Sequence, residues 1–285
     1  MVKIGLLADT HIADSRRTEN GVSKSNDAVS RLNSENVDWN VHLGDIRPLG
    51  PTTSDINWGN WATDNKYYKS DFEVAQNQVL SNLNGDLRII ARGNHDRPLD
   101  IYREYFPRDE YPRYGSFEED GVRHVWLDTH PYQGHHELHQ VGAMVSPDQI
   151  SFLHRLMDDD PDIPTFVYAH APLAAFDYGD LSAEDWYTDY REYFYCSNAP
   201  HVQNVLERGN VVMVNNGHLF NDEGRGSTTV NGVEYVLSRH LVHNSDTNYT
   251  GDVRWLDIDT TNNEATCYYY DVGADSSGTI TTATW

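Results

Sequence analysis

Five short apolar runs of the sequence end in polar side chains that could bind divalent cations. The polar residues that follow these runs are Asp9 and His11, Asp45, Asn94 and His95, His170, and His218. Carboxylate, imidazole and amide groups are ligands of borderline or hard divalent cations, and none of the five runs ends in cysteine. Two such cations about 3.5–4 Å apart can lower the pKa of a shared water and hold a phosphoryl group for in-line attack. The residues therefore predict a hydrolytic metal centre.

Each run has the length and apolar character of a buried strand, and several are closed by glycine or asparagine. The candidate ligands are spread from residue 9 to residue 218, so only one continuous sheet system could bring them together. We therefore predict a single domain over residues 1–285. The helix expected around Ala28, Val29 and Leu32 joins the first two strands, and a strand–helix–strand unit predicts a parallel pair.

Turn and capping signals predict further elements along the chain. Ser70–Glu73 has the pattern of a capping box that begins a helix. A hairpin is expected at 114–118 and 122–127, a helix begins at Ser146-Pro147, and three strands are expected after residue 226, at 232–237, 253–258 and 265–270. Loop insertions are predicted near residues 46–67, 97–112 and 171–197, where glycine, proline and aromatic residues occur without clean periodicity.

The composition is strongly acidic. Asp and Glu number 44 against 21 Lys and Arg, a formal net charge of −23, and the acidic residues are dispersed along the chain. Dispersed acid with little lysine is typical of proteins from high-salt organisms, where salt screens the repulsion; an ordinary acidic enzyme is the alternative. A negative surface argues against nucleic acid as a partner. No apolar stretch approaches the ~20 residues of a membrane span, so we expect a cytoplasmic protein.

The ordered set Asp9-x-His11, Gly44-Asp45, Gly93-Asn94-His95-Asp96, His170 and Gly217-His218 resembles the calcineurin-like metallophosphoesterase family. The resemblance covers roughly residues 3–270. It implies an α/β fold, a four-layer α/β/β/α sandwich of two mixed sheets flanked by helices. It also implies two divalent metal ions, with manganese, iron or zinc expected. By the family pattern Asp9 and His11 bind the first metal, Asp45 bridges, Asn94, His170 and His218 bind the second, and His95 protonates the leaving oxygen.

One position departs from the family pattern. The family usually reads Gly-His-x-His at its last motif, whereas this chain reads Gly217-His218-Leu219-Phe220. Phenylalanine cannot bind a metal, so we expect the second site to be stronger than the first. Water, Asn221, Asp222 or His240 are alternatives that could fill the missing position.

Several other residues allow two interpretations. Arg97 could anchor a substrate phosphate or pair with a surface acid. The histidines between residues 130 and 139 could bind an extra metal, although a polar loop is the simpler interpretation; they are His130, His135, His136 and His139. His42 and His124 lie within predicted strands and are interpreted as structural. Aromatic residues between 58 and 68 and between 178 and 195 could stack on a base or pack within loops.

The sequence therefore predicts a metal-dependent phosphoesterase in which a hydroxide held between two metals attacks phosphorus. The expected substrate is a phosphate mono- or diester of a small molecule or nucleotide. A non-catalytic binding module that retains the fold with a weakened first metal site is the alternative, and Phe220 is the feature that favours it. A nuclease of the same fold would require a basic groove. The sequence gives no indication of protein partners.

Overall fold

The computed structural model describes residues 1–13, 21–48, 65–131, 142–176, 195–219, 226–241 and 251–285. Within these ranges the strands are β1 (Val2–Leu7), β2 (Trp39–His42), β3 (Asp86–Ile90), β4 (Gly115–Glu119), β5 (Val122–Leu127), β6 (Thr165–Ala169), β7 (Val211–Asn216), β8 (Gly226–Val230), β9 (Val233–Leu237), β10 (Asp252–Asp259), β11 (Glu264–Asp271) and β12 (Ser276–Thr284). The helices are α1 (Val22–Glu35), α2 (Asn65–Gln78), α3 (Leu99–Tyr105), α4 (Pro147–Asp159) and α5 (Ala199–Leu206), with a 3₁₀ turn at Leu80–Asn82.

The strands form two mixed sheets of six. The first has the order β12-β11-β10-β1-β2-β3, and the second has the order β4-β5-β6-β7-β9-β8. In the first sheet β1, β2 and β3 are parallel to one another. In the second sheet β5, β6, β7 and β9 are parallel. The carboxyl ends of parallel strands lie at one edge of a sheet, so each sheet offers one edge for polar side chains.

Three apolar cores hold four layers together. The central core lies between the two sheets and includes Ile4 and Trp39 from the first sheet and Phe166 and Met213 from the second. A second core packs α1, α2 and α3 on the outer face of the first sheet. A third packs α4 and α5 on the outer face of the second sheet. The predicted α/β/β/α sandwich is therefore confirmed.

We expect the Phe166→Ala variant to lose about 3–5 kcal/mol of unfolding free energy, because a buried phenylalanine leaves a cavity that its neighbours fill only partly. Phe166 is fully buried in β6, and its ring centroid lies 6.0 Å from that of Trp285. Urea unfolding in molar salt measures the loss. Thr279→Ala, an exposed position in β12, is the control and should change the free energy by less than about 0.5 kcal/mol. Equal effects of the two substitutions would contradict this account of the central core.

Some predictions of local structure are wrong. Helix α2 spans Asn65–Gln78, so Ser70 lies inside the helix and is not its first cap. The segment 97–112, predicted as an insertion loop, contains helix α3, whose Ile101 and Tyr102 are buried against α2 and the first sheet. Strands β8 and β12 were not predicted. Residues 49–64 and 177–194, which make up most of the other two predicted insertions, lie outside the described residues.

The two histidines interpreted as structural lie in strands and are buried. His42 contacts the Thr10 hydroxyl at 3.0 Å and accepts a hydrogen bond from the Gly44 N–H at 3.1 Å. His124 Nδ1 lies 3.1 Å from the Tyr168 hydroxyl. None of the helices in the described ranges combines the length and the apolar composition needed to cross a bilayer.

Candidate metal centre

The carboxyl edges of the two sheets face each other, and the six predicted metal ligands meet there. Asp9 and His11 follow β1, Asp45 follows β2, and Asn94 follows β3 in the first sheet. His170 follows β6 and His218 follows β7 in the second sheet. The His218 N–H donates to Asp9 Oδ2 at 2.9 Å, which joins residues 209 positions apart and ties the two sheet edges together.

Asp45 lies at the middle of this cluster. Its Oδ2 is 3.3 Å from His170 Nε2 and 3.8 Å from His95 Nε2, while its Oδ1 accepts the His95 N–H at 2.7 Å. Two groups of potential ligands contain Asp45: one with His11 and His95, the other with His170 and His218. In each group the ligand atoms lie within 4.8 Å of one another. A carboxylate shared in this way can offset the repulsion between two cations.

The group around His170 brings lone pairs together. His170 Nδ1 lies 2.7 Å from the Leu43 carbonyl oxygen, so it carries the proton that this contact requires. In the neutral ring Nε2 is then an acceptor. It nevertheless lies 3.1 Å from Asn94 Oδ1 and 3.3 Å from Asp45 Oδ2, both of which are acceptors, and His218 Nδ1 is 2.9 Å away. Because acceptors repel at such distances unless a positive charge lies among them, these four residues fit a cation.

A third group of potential ligands lies beside the two that contain Asp45. Asp9, His11 and His240 are buried, with ligand atoms within 4.8 Å of one another. His240 Nε2 lies 2.9 Å from Asp9 Oδ1, and the His11 and His240 ring centroids are 5.2 Å apart. His11 Nδ1 is buried and has no hydrogen-bond partner among the described residues. A buried unsatisfied nitrogen is costly, so these residues also fit a cation.

In the metal-free protein, burial and the short distances between these ionisable groups shift the pKa values of Asp9, His11 and His170. Burial alone would raise the pKa of Asp9, but His240 opposes it and the pKa falls to about 2. Burial and His240 both lower the pKa of His11, to about 4. Burial alone would lower the pKa of His170, but the Asp45 carboxylate outweighs it and raises the pKa to about 9. A proton on His170 Nε2 thus takes the place that a cation would occupy.

We expect metal binding at neutral pH to release a proton from His170, because a nitrogen ligand must be deprotonated. Affinity for the ion should rise as pH increases from about 6.5 and level off above about 9, the pKa of His170 in the metal-free protein. Calorimetry in buffers of different ionisation enthalpy counts the released proton. His170 is protonated more readily when folded, so its contribution to metal-free stability is present below pH 6.5 and is lost as pH rises through about 9. Metal affinity independent of pH across this range would contradict the expectation.

The backbone at the strand ends is held in an uncommon conformation. Four of the candidate ligands have positive φ angles, namely Asp9 (49°), His11 (44°), Asp45 (55°) and His218 (78°). Such residues are uncommon, cost of order 1–3 kcal/mol each and cluster at functional sites. Gly93 lets the β3 turn pack directly against Asp45, because a Cβ at residue 93 would lie only 2.1 Å from Asp45 Oδ1.

Asp96 stabilises these turns without belonging to any of the ligand groups. Its Oδ2 accepts the Asp45 and Gly93 N–H groups, each at 2.9 Å, and its Oδ1 accepts the Ile46 N–H at 2.8 Å. Burial and the Asp45 charge raise its pKa to about 6. The carboxylate therefore holds the β2 and β3 turns at a fixed spacing, which places Asp45 beside His95.

His95, the predicted acid, is buried at the edge of the centre. Arg47 Nη1 donates to its carbonyl oxygen at 2.9 Å and to that of Arg97 at 3.3 Å. Burial lowers the pKa of His95 well below its usual range, although Asp45 opposes the shift. The half-buried Arg97 has its pKa lowered to about 10 by burial and by Arg47, and Asp45 is close enough to oppose this. Arg97 therefore places a cation near the centre.

His130 is not part of a polar surface loop, so that interpretation is wrong for this residue. It is buried, and its ring centroid lies 5.4 Å from that of His170 and 5.6 Å from that of His218. Its N–H donates to Asp128 Oδ1 at 2.9 Å, and Asp128 also binds Arg92. His135, His136 and His139 lie outside the described residues, as do Phe220, Asn221 and Asp222.

From the sequence, His240 is only one of several candidates for the missing ligand. The signal that could have identified it is its position: Val233–Leu237 is one more apolar run, and Ser238-Arg239-His240 follows it directly. Strand β9 is parallel to β7, so its carboxyl end lies at the same edge as that of the other ligand-bearing strands.

The chain is similar to one known family and to several solved structures. A family model described as calcineurin-like phosphoesterase matches residues 2–221. A dimetal phosphatase from Danio rerio is 17% identical, with a TM-score of 0.63 over 98% of each chain. The phosphoesterase YfcE from E. coli is 10% identical, with a TM-score of 0.41 over 99% of each chain. Vps29 from Chaetomium thermophilum is 12% identical, with a TM-score of 0.41 over 99% of this chain and 97% of that one. No curated protein matches the sequence.

Proposed function

Because the chain belongs to the calcineurin-like phosphoesterase family, we propose that it is a metal-dependent phosphoesterase acting on a phosphate mono- or diester of a small molecule or nucleotide. The observation that carries the proposal is the pair of ligand groups that share Asp45, one with His11 and His95 and the other with His170 and His218. A centre built for a single structural ion would not need a carboxylate common to two groups.

Two divalent cations would be held by these residues, with Asp45 between them. When bound, they supply Lewis acidity that polarises the phosphoryl group and lowers the pKa of a shared water. Manganese, iron and zinc all accept this mixture of imidazole, carboxylate and amide ligands. Asp9 and Asp45 remain ionised at neutral pH, because their pKa values are held at about 2 and well below the usual range.

The remaining residues act on the substrate. We propose that His95, whose Nε2 lies 3.8 Å from Asp45 Oδ2, gives a proton to the leaving oxygen as the P–O bond breaks. Negative charge on the bound phosphoryl group favours the protonated ring. We propose that Arg97 binds a non-bridging phosphate oxygen, because the Asp45 carboxylate acts on its pKa and a guanidinium pairs well with phosphate.

The negative charge of the chain disfavours large polyanionic substrates. With a net charge of −23, the surface repels polyanions such as DNA, and the cations of the centre supply the main attraction for an anionic substrate. A small phosphorylated molecule is therefore favoured over a nucleic acid. We also propose that the protein works in high salt, where the Debye length falls to ~3 Å at about 1 M and self-repulsion is screened.

Hydrolysis of an aryl phosphate monoester and of the matching diester tests the function. Each substrate is assayed in about 1 M KCl with Mn²⁺, Fe²⁺ or Zn²⁺, and with a chelator as the control. We expect turnover that requires metal and that is lost on chelation. No metal-stimulated turnover with either ester would contradict the proposal and favour a binding module that retains the fold.

A further inference from the structure

Granting the proposed phosphoesterase function, we infer that His240 is a ligand of the first metal and replaces the histidine that the sequence lacks at Phe220. The first site then contains Asp9, His11 and His240 with the shared Asp45. The second contains Asn94, His170 and His218 with the same carboxylate. The two sites have equal numbers of protein ligands, so the predicted weakness of the first site disappears.

The ring of His240 lies where such a ligand must lie. Its Nε2 is 2.9 Å from Asp9 Oδ1, and the ligand atoms of Asp9, His11 and His240 are all within 4.8 Å of one another. Metal–ligand bonds of about 2.0–2.2 Å place ligand atoms at most about 4.4 Å apart across an ion, so the present spacing needs only small adjustments. His240 is 1% exposed, which keeps water from competing with the ring.

Backbone hydrogen bonds explain how His240, which follows β9 in the second sheet, reaches Asp9 and His11, which follow β1 in the first sheet. The Ser238 N–H donates to the Asn216 carbonyl at 2.7 Å, which continues the pairing of β9 with β7. The Leu241 N–H donates to the Ala8 carbonyl at 3.3 Å, so the chain crosses from the second sheet to the end of β1. Residue 240 lies between these two anchors. Gly251 packs directly against it, since a Cβ there would be 2.6 Å from the His240 carbonyl oxygen.

A histidine in this position could instead only hold Asp9 in place through a hydrogen bond. The two roles differ in measurable ways. Loss of a residue that merely orients a ligand typically lowers metal affinity about 10–100-fold, whereas loss of a ligand should lower it by more. Direct bonding also produces a scalar coupling between the metal nucleus and the ring nitrogen, which a hydrogen bond to Asp9 does not produce.

The test uses the full chain with metal alone, in about 1 M KCl. Titration with Mn²⁺ should give two ions per wild-type chain. His240→Ala and the bulkier His240→Leu, neither of which has a ligand atom in its side chain, should retain one tight ion and bind the other more than about 100-fold more weakly. With ¹¹³Cd²⁺ and ¹⁵N-labelled histidine, one cadmium–nitrogen coupling of the wild type should be missing in both variants. His124→Gln, which removes a buried histidine from the sheet interior, should keep both ions and every coupling.

The outcomes separate this inference from the proposed function. Wild-type protein that binds two ions, with His240 variants that bind both at wild-type affinity and keep every coupling, would overturn the ligand role of His240 alone. Reduced affinity with every coupling retained would also overturn it, because His240 would then only orient Asp9. Wild-type protein that binds no ion would overturn both the inference and the proposed function.

Discussion

The Asp45→Asn variant is expected to lose both metal ions and with them phosphoesterase turnover. Asp45 is common to two of the ligand groups, and its Oδ2 lies 3.3 Å from His170 Nε2 and 3.8 Å from His95 Nε2. The amide keeps the shape of the side chain but removes the charge that offsets repulsion between two cations. Metal affinity should fall by more than about 100-fold at both sites, beyond the loss expected when a supporting residue is removed.

Turnover of Asp45→Asn should fall by at least about 10³-fold, since losing a single electrostatic contact in an active site already costs about 10²–10³. Metal titration and steady-state kinetics on the same preparation measure the two losses together. Asp96→Asn is the matched control, because Asp96 is a buried carboxylate next to Asp45 that lies outside the ligand groups and accepts backbone N–H groups in its described hydrogen bonds. It should keep two ions with an affinity lowered about 10–100-fold. Two tightly bound ions in Asp45→Asn would contradict the bridging role.

Much of this centre could be predicted because its ligands follow short apolar strands whose side chains are buried on both faces of the sheet. Parallel strands flanked by helices have such continuous apolar runs, so their ends can be found without knowing the sheet order. The residues after β1, β2, β3, β6 and β7 were found in this way, and the structure places all of them at one edge.

His240 was harder to predict, because its importance depends on strand order. Strand β9 follows β8 through a tight turn at Asn231-Gly232 and is antiparallel to it, a pattern typical of a peripheral hairpin. Only the parallel pairing of β9 with β7 brings its carboxyl end to the centre. That pairing is set by the packing of the whole sheet and has no local signature in the sequence.

The missed elements have similar causes. Helix α3 is only seven residues long and buries Ile101 and Tyr102, with Phe106 buried directly after it, so it presents too short a pattern to identify and is fixed by packing on α2. Strand β12 consists mostly of Ser, Thr and Gly and lies at the edge of the first sheet, where pairing with β11 stabilises a weakly apolar segment. In both cases tertiary contacts outweigh local propensity.

The His95→Gln variant is expected to keep both metal ions and to lose about 10²–10⁴-fold in kcat, the usual contribution of a positioned general acid. The size of the loss should depend on the leaving group. An alkyl phosphate needs a proton on its departing oxygen, whereas a nitrophenyl phosphate releases a weakly basic anion that needs it less. We therefore expect a large loss with the alkyl ester and a much smaller one with the aryl ester. His124→Gln should leave both rates unchanged.

The pH profile gives an independent check on the same residue. In the free protein burial lowers the pKa of His95 well below its usual range, so the ring is neutral at pH 7. A bound phosphoryl anion favours the protonated ring, and the active form therefore builds up in the complex. The pH dependence of kcat/KM reports pKa values in the free enzyme, whereas that of kcat reports pKa values in the enzyme–substrate complex. The alkaline decline of kcat should therefore occur at a higher pH than the alkaline decline of kcat/KM. Both declines should disappear in His95→Gln. Equal losses with aryl and alkyl esters, together with an unchanged pH profile, would show that His95 does not supply the proton.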